Sequence, residues 1–331
     1  MCLAVAAGCS GGEKWAAPGP AATTGPPPTE ATTTTTLPPL YPLSGRPATD
    51  PAVLRRPAVT LKIDNIAVAR PQAGIESADV VYEELTEGIT RLVVVFQSST
   101  AEVIGPVRSV RPADPVIVTP LGGVLAFSGG SPAAVALATD SPVTVVTEGA
   151  TDVMYRRRGR SAPHNLYTSG DGLYGKAPPE AGAPPAFADF LRDGLAFAPA
   201  GSTPVAHLSL VPAPYVSVDY DWDAPSATWR RTTDGRPHLL ENGAQIAPTT
   251  VIVQYTPYSV FVHDAKVQYP EVVGAGDALI LAGGVMIAAK WSKPAPTDVT
   301  VWTDAAGTRI ALPPGQTWVH LVAPGSPVTP S

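Results

Sequence analysis

The chain has 331 residues, 44% of them hydrophobic, enough to bury a sizeable core, and its length favours two domains over one. Lysine and arginine number 22 against 28 aspartates and glutamates, so the net charge of −6 offers no general basic field and nucleic acid is not an expected partner. Both cysteines, Cys2 and Cys9, stand in the first ten residues, which leaves the folded part without a thiol for a disulfide, a zinc–thiolate site or a cysteine nucleophile.

Residues 1–9 read as the end of an apolar signal peptide closed by a bacterial lipobox: small residues precede Cys9, the position that would carry a diacylglycerol. Ala6 stands where leucine is commonest, and the basic start and full apolar stretch are missing, as if the start codon were placed too late. Residues 10–44 form a predicted disordered tether, with Pro26-Pro27-Pro28 and a threonine run from Thr32 to Thr36 and too little apolar surface to offset ordering entropy. Such a Pro-rich stretch spans at most ~3 Å per residue. Anchor plus spacer predicts an extracytoplasmic, lipid-anchored protein of the cell envelope, with the membrane as a partner through Cys9.

From residue 45 short apolar runs alternate with Gly- and Pro-marked turns. Strands are predicted at Val59–Ile63, Val80–Leu85, Leu92–Gln97, Val124–Phe127 and Val143–Val146, and helices near Asp114–Leu121, Pro132–Ala138 and Ala186–Asp193. Strands separated by short helices suggest an α+β or mixed α/β domain over 45–199. After about Ala200, turn signals at Asp234-Gly235, Asn242-Gly243 and Ala305-Ala306-Gly307 predict a mostly β domain over 200–325. Trp222, Trp229, Trp291, Trp302 and Trp318 fall there; they are expected to fill its core, the alternative being stacking on sugar rings.

Seven blocks occur in order: Lys62–Asn65, Ala69–Gly74, Ala78–Glu83, Glu87–Arg91, Gly105–Pro112, Ser128–Pro132 and Arg160–Tyr167, followed by the closing Pro314–Val319. Together they resemble the DUF3048 family of bacterial lipoproteins, over a span from about Leu43 to Val322. The resemblance implies two domains and an envelope location, and leaves the reaction open. One departure is Phe127-Ser128, where relatives are expected to have His-Ala, so any role of that histidine is absent here.

The chemistry is argued from the residues. Gly129 and Gly130 can turn the backbone between a strand and a helix that Ser131 caps and Pro132 begins, which aims N–H groups at an anion. Arg108 and Arg111, three apart, add forks suited to carboxylate or phosphate, with Arg70 and His164 at the edge. The alternative is a tight turn and arginines paired with internal carboxylates. Asp64 and Asn65 end the first strand, and Glu83 and Glu87 flank the second, where α/β sheets present groups to a crevice. His164 lies on a loop with Arg160 and Asn165, a place for proton transfer. The spacing matches no metal or triad signature, so no metal or cofactor is expected. The preferred reading is an envelope lipoprotein binding an anionic small molecule or cell-wall polymer. The alternatives are a hydrolase using Asp64, Glu87 and His164, or a scaffold for another envelope protein; the sequence leaves the oligomeric state open.

Overall fold

The computed structural model describes residues 19, 37–149, 152–192 and 194–331. The lipobox with Cys9 and most of the tether lie outside the described residues. Residues 38–331 form one compact unit.

β-Branched and aromatic runs make the strands. The first half of the unit supplies β1 (Val59–Asp64), β2 (Val80–Thr86), β3 (Ile89–Phe96), β4 (Val124–Phe127) and β5 (Thr144–Thr147), with a small hairpin of β6 (Met154–Arg156) and β7 (Leu166–Thr168). The second half supplies β8 (Thr203–Pro204), β9 (His207–Ala213), β10 (Val216–Asp223), β11 (Thr228–Thr233), β12 (Arg236–Pro237) and β13 (Thr250–Tyr255). It continues with β14 (Tyr258–Phe261), β15 (Asp264–Pro270), β16 (Gly274–Ala282), β17 (Val285–Lys293), β18 (Val301–Thr303), β19 (Thr317–Val322) and β20 (Val328–Pro330). Helices are short: α1 (Pro51–Arg55), α2 (Asp114–Val118), α3 (Pro132–Thr139) and α4 (Gly170–Tyr174).

The protein is mostly β. One large sheet draws on both halves, in the order β18-β17-β16-β13-β19-β2-β3-β1-β4-β5, with β8 added on β17. The seam between the halves is β19 lying parallel to β2, Trp318 opposite Val81 and His320 opposite Glu83. Since β3 is antiparallel to both β1 and β2, the strands β13, β19, β2, β1, β4 and β5 all run the same way. All six residues of β1 and all six of β19 are buried, as expected for strands covered on both faces. On one face Val80, Tyr82, Val93 and Val95 pack with Ile117, Leu121 and Phe127. On the other, Leu61, Val81, Val94 and Trp318 pack with Leu166 and Leu173. A second sheet, β12-β11-β10-β9-β20, covers part of that second face through Tyr220, Trp229, Val251 and Val322.

The predicted strands of the first half and the helices at α2 and α3 stand close to where the sequence placed them. The expected helix at 186–193 is absent among its described residues. Pro184-Pro185 bias the chain to extended backbone, Phe187 is held against Tyr82 and Trp302 at centroid distances of 6.4 and 5.2 Å, and the amides of Leu191 and Leu312 donate to Leu312 and Asp189 carbonyls. The tryptophans Trp229, Trp291, Trp302 and Trp318 are core residues. The Asp234-Gly235 turn takes positive φ at both positions, 53° and 71°, the geometry that Asp-Gly hairpins favour.

The tether ends earlier than the sequence suggests. Tyr41 and Leu43 are buried, the Pro42 carbonyl accepts from the Phe187 amide and the Ser44 carbonyl from the Gly315 amide, both at 2.8 Å. Leu37, Leu40 and Leu43 are separated by Pro38, Pro39 and Pro42, which bar a regular helix or ladder, so the stretch reads as tether and only the fold provides the Leu43 pocket. Leu43→Ala is expected to cost about 2–5 kcal/mol in urea unfolding, the range for a fully buried leucine; an unchanged midpoint would show that the segment adds nothing.

Candidate functional site

The candidate residues gather at the carboxyl ends of β1, β2 and β4, the edge at which sheets of co-directional strands present ligand groups. Asp64 ends β1, and Arg91 lies directly across from it on β3; Arg91 also opposes Glu84 on β2, so the three form one row on one sheet face. The segment Pro106–Arg108 runs beside β1, with the Asp64 amide donating to the Pro106 carbonyl at 3.0 Å and the Arg108 amide to the Lys62 carbonyl at 2.8 Å. On its other side the Val107 amide donates to the Leu166 carbonyl at 2.7 Å, and this brings the loop before β7 over Asp64.

The result is a shared carboxylate. Asp64 is fully buried, and its Oδ2 lies 2.6 Å from His164 Nδ1 and 2.9 Å from Arg108 Nε. An ionised carboxylate only accepts, so Nδ1 carries the hydrogen and Nε2 is left for another partner. The Arg108 contact is an ion pair without hydrogen-bond alignment, and among the described residues the Arg108 side chain makes no hydrogen bond. Arg91 is almost wholly buried. Among the described residues its Nε has no partner, one terminal nitrogen reaches the Ser109 carbonyl at 3.3 Å, and the other is 3.7 Å from Glu87. Burial, reinforced by the neighbouring Arg111 and Arg108 charges, pulls its guanidinium down to about 10.

Arg111 is differently placed. It pairs with Glu87 at 2.7 Å and donates to Thr86, Ser109 and Val110. Glu87 takes positive φ, 54°, in the Glu87-Gly88 hairpin turn, which aims its carboxylate at Arg111. The turn at Gly129–Ser131 does run beside this arginine segment: the Val110 amide donates to the Gly129 carbonyl at 2.8 Å and the Ser128 amide to the Arg108 carbonyl at 2.9 Å. A Cβ on Gly130 would stand 2.9 Å from Val110, so only glycine allows that approach without a shift. Ser131 caps α3, its hydroxyl accepting from the Ala134 amide.

The other predicted ligand-binding residues have internal partners. Asn65 donates to Glu83 and Thr90, Arg70 pairs with Asp234 at 2.8 Å, Arg160 donates to the Ala69 and Pro71 carbonyls, and Asn165 bridges Arg156 and Arg160. Sequence reasoning misses Arg91 because it starts the strand at Leu92, whereas β3 begins at Ile89; the usable signal is its place opposite Asp64 once that pairing is assumed.

Beneath the site the sheet carries two buried charge clusters, one on each face. Glu84 and Asp114 share the fully buried Lys62, with Asp114 2.7 Å from its ammonium. On the opposite face Glu83 meets Arg231 at 2.9 Å and His320 at 3.2 Å, and Gln72, His238 and Tyr220 extend this network into the second sheet.

Comparison with known proteins adds the family. A Bacillus subtilis (strain 168) protein named "Putative lipoprotein YerB" is 27% identical over 299 residues, 85% of each chain. The crystal structure of YerB protein from Bacillus subtilis superposes with a TM-score of 0.75 at 23% identity, covering 88% of this chain and 99% of that one, a likeness of fold. The family models described as "Protein of unknown function (DUF3048)", N-terminal domain and C-terminal domain, match residues 43–182 and 209–319, and the chain belongs to the DUF3048 family.

Proposed function

We propose that the chain is an extracytoplasmic lipoprotein, held to the membrane by a lipid on Cys9, whose folded part binds an anionic ligand between Arg91, Arg108 and His164. The observation that carries this reading is the pair of under-satisfied guanidiniums: Arg108 with no side-chain hydrogen bond among the described residues, and Arg91 with an unpaired buried Nε. Buried donors without acceptors cost free energy that an oxyanion would recover. His164 Nε2 and Arg108 both sit at the partly open rim, with side-chain exposures of 19% and 17%. A carboxylate or phosphate from a small molecule or a cell-wall polymer has the matching chemistry.

Arg108→Lys keeps a cation beside Asp64 but loses the planar fork. It is expected to weaken oxyanion binding roughly tenfold with little change in melting temperature, about 1.4 kcal/mol in a calorimetric titration with phosphate and short carboxylates. Absence of saturable binding of any of these to the unaltered protein would end the reading. A second reading, hydrolysis, has the Asp64–His164 pair in its favour: loss of turnover of a wall fragment in His164→Gln, with binding retained, would support it.

The anchor has its own test. With the full signal peptide supplied, Cys9→Ala is expected to move the protein out of the membrane fraction. Equal retention would remove the lipid. No helix among the described residues is long and apolar enough to cross a membrane.

A further inference from the structure

A seam between α3 and the hairpin β14–β15 is used by nothing described above. Along α3, Ala133, Ala136, Leu137 and Asp140 follow the spacing of one helix face and form one wall of an open cleft of about 550 Å³, within the size range of small-ligand sites. The hairpin supplies the other wall, with Val260, Phe261 and Val262. Leu137 is 43% exposed, Val260 61% and Val262 85%, a grouping of apolar side chains that water meets at a cost. Extended toward the helix start, the same face reaches Gly130, and there the lining changes. A second, polar cleft of about 190 Å³ is lined by Gly130 and Ser131 on one side and Asp264 and Val267 of the hairpin on the other, with Arg111 and Glu87 at its base. Each cleft takes one wall from α3 or the turn that leads into it and the other from the hairpin.

We propose that this seam binds a single-chain zwitterionic amphiphile. Its alkyl tail lies along the α3 face against Val260 and Phe261, its phosphate faces Arg111 and the Ser131 hydroxyl, and its ammonium faces Asp264. The charges select this head. Arg111 already answers Glu87 at 2.7 Å, and Asp264 adds a further carboxylate, so a purely anionic head meets net repulsion while a head carrying both signs is matched. The Ser131 oxygen accepts from a helix amide, which leaves its hydrogen to donate. Among the described residues Asp264 accepts from the Lys266 amide through Oδ1 alone, which leaves Oδ2 for an ammonium.

The test titrates the full chain with monomeric alkylphosphocholines of increasing chain length. Affinity is expected to rise about fourfold for each added methylene until the groove is filled, the factor for burying a CH2 group. Leu137→Asp and Val260→Asp are each expected to weaken binding by roughly tenfold or more, with unchanged melting because both side chains are exposed. Asp264→Asn is expected to reduce the preference for an alkylphosphocholine over an alkyl sulfate of the same length. Affinity independent of chain length, or full affinity in Leu137→Asp, would overturn the proposal. So would binding to phosphatidylcholine vesicles with none to the monomer, because that result places the hairpin in a bilayer instead. The proposal goes beyond the oxyanion site: Arg108→Lys leaves alkylphosphocholine binding intact if both readings hold, so each fails separately.

Discussion

Arg231→Met is expected to destabilise the protein by about 3–5 kcal/mol, the cost of leaving a buried charge without its partner. Glu83 has no exposure; Asn65 and Thr90 satisfy its Oε1, and the Arg231 and His320 contacts fall on Oε2. Arg231 also donates to Tyr220 at 2.8 Å and lies over the Trp318 ring at 4.7 Å, so methionine replaces its volume but not its charge. Burial by itself would raise the Glu83 carboxyl; the Arg231 charge, His320 and Thr90 outweigh it and hold the group well below the usual carboxylate range. A depressed carboxylate stabilises the fold above its unfolded value, and that stability is lost as pH falls. Without Arg231 burial dominates, the folded value rises above the unfolded one, and the variant loses stability as pH rises. The deficit therefore shrinks toward acid and widens toward neutrality. Urea unfolding of both proteins across that range decides the matter, and a deficit independent of pH would show that Arg231 acts by packing alone. The wild type has a further acid-sensitive element. His238 is held below its ordinary value by burial, then Arg231 and Arg70, and His320 by burial; their contribution is present above the unfolded histidine value of 6.5 and is lost as pH falls below it.

Lys62→Met is expected to cost a similar ~3–5 kcal/mol at neutral pH, for a different reason. One ammonium serves two buried carboxylates, Glu84 and Asp114, and Asp114 also accepts from the Arg111 amide at 2.7 Å. Burial raises the Glu84 carboxyl; Lys62 opposes that rise and Asp114 adds to it. A carboxyl raised in the fold contributes stability below the unfolded value of 4.5 that is lost as pH climbs through the folded one. Removing Lys62 strengthens the rise, so the variant should approach the wild type in acid and fall behind as pH increases. The double variant Lys62→Met/Glu84→Gln removes one of the stranded charges and is expected to recover roughly 1–3 kcal/mol. No recovery would mean that the cost lies in packing around the missing ammonium.

These clusters lie on either side of the sheet beneath the candidate residues. Glu83 and Glu84 are sequence neighbours, so the two-residue pleat sends them to opposite faces. Glu84 reaches the face that carries Asp64, Arg91 and Lys62, while Glu83 ties the first half of the chain to the second sheet.

The sequence by itself determined the local elements and the family. Alternation of β-branched runs with Gly- and Pro-marked turns located β1, β2, β4 and β5, Ser131-Pro132 marked the start of α3, and Asp234-Gly235 marked a hairpin, because each depends on residues within one turn or one strand. The tertiary structure alone decided that both halves share one sheet, since the pairing of β19 with β2 joins residues more than 200 positions apart and no local pattern encodes it. It also decided the partners of the charged side chains. Arg108 and His164 meet on Asp64 because the Pro106–Arg108 segment lies between β1 and β7, whereas Arg111, only three residues on, turns away from Asp64 and pairs with Glu87. Periodicity reports which face a residue occupies. Whether a charge on that face finds a carboxylate or stays open to a ligand depends on which distant strand packs beside it.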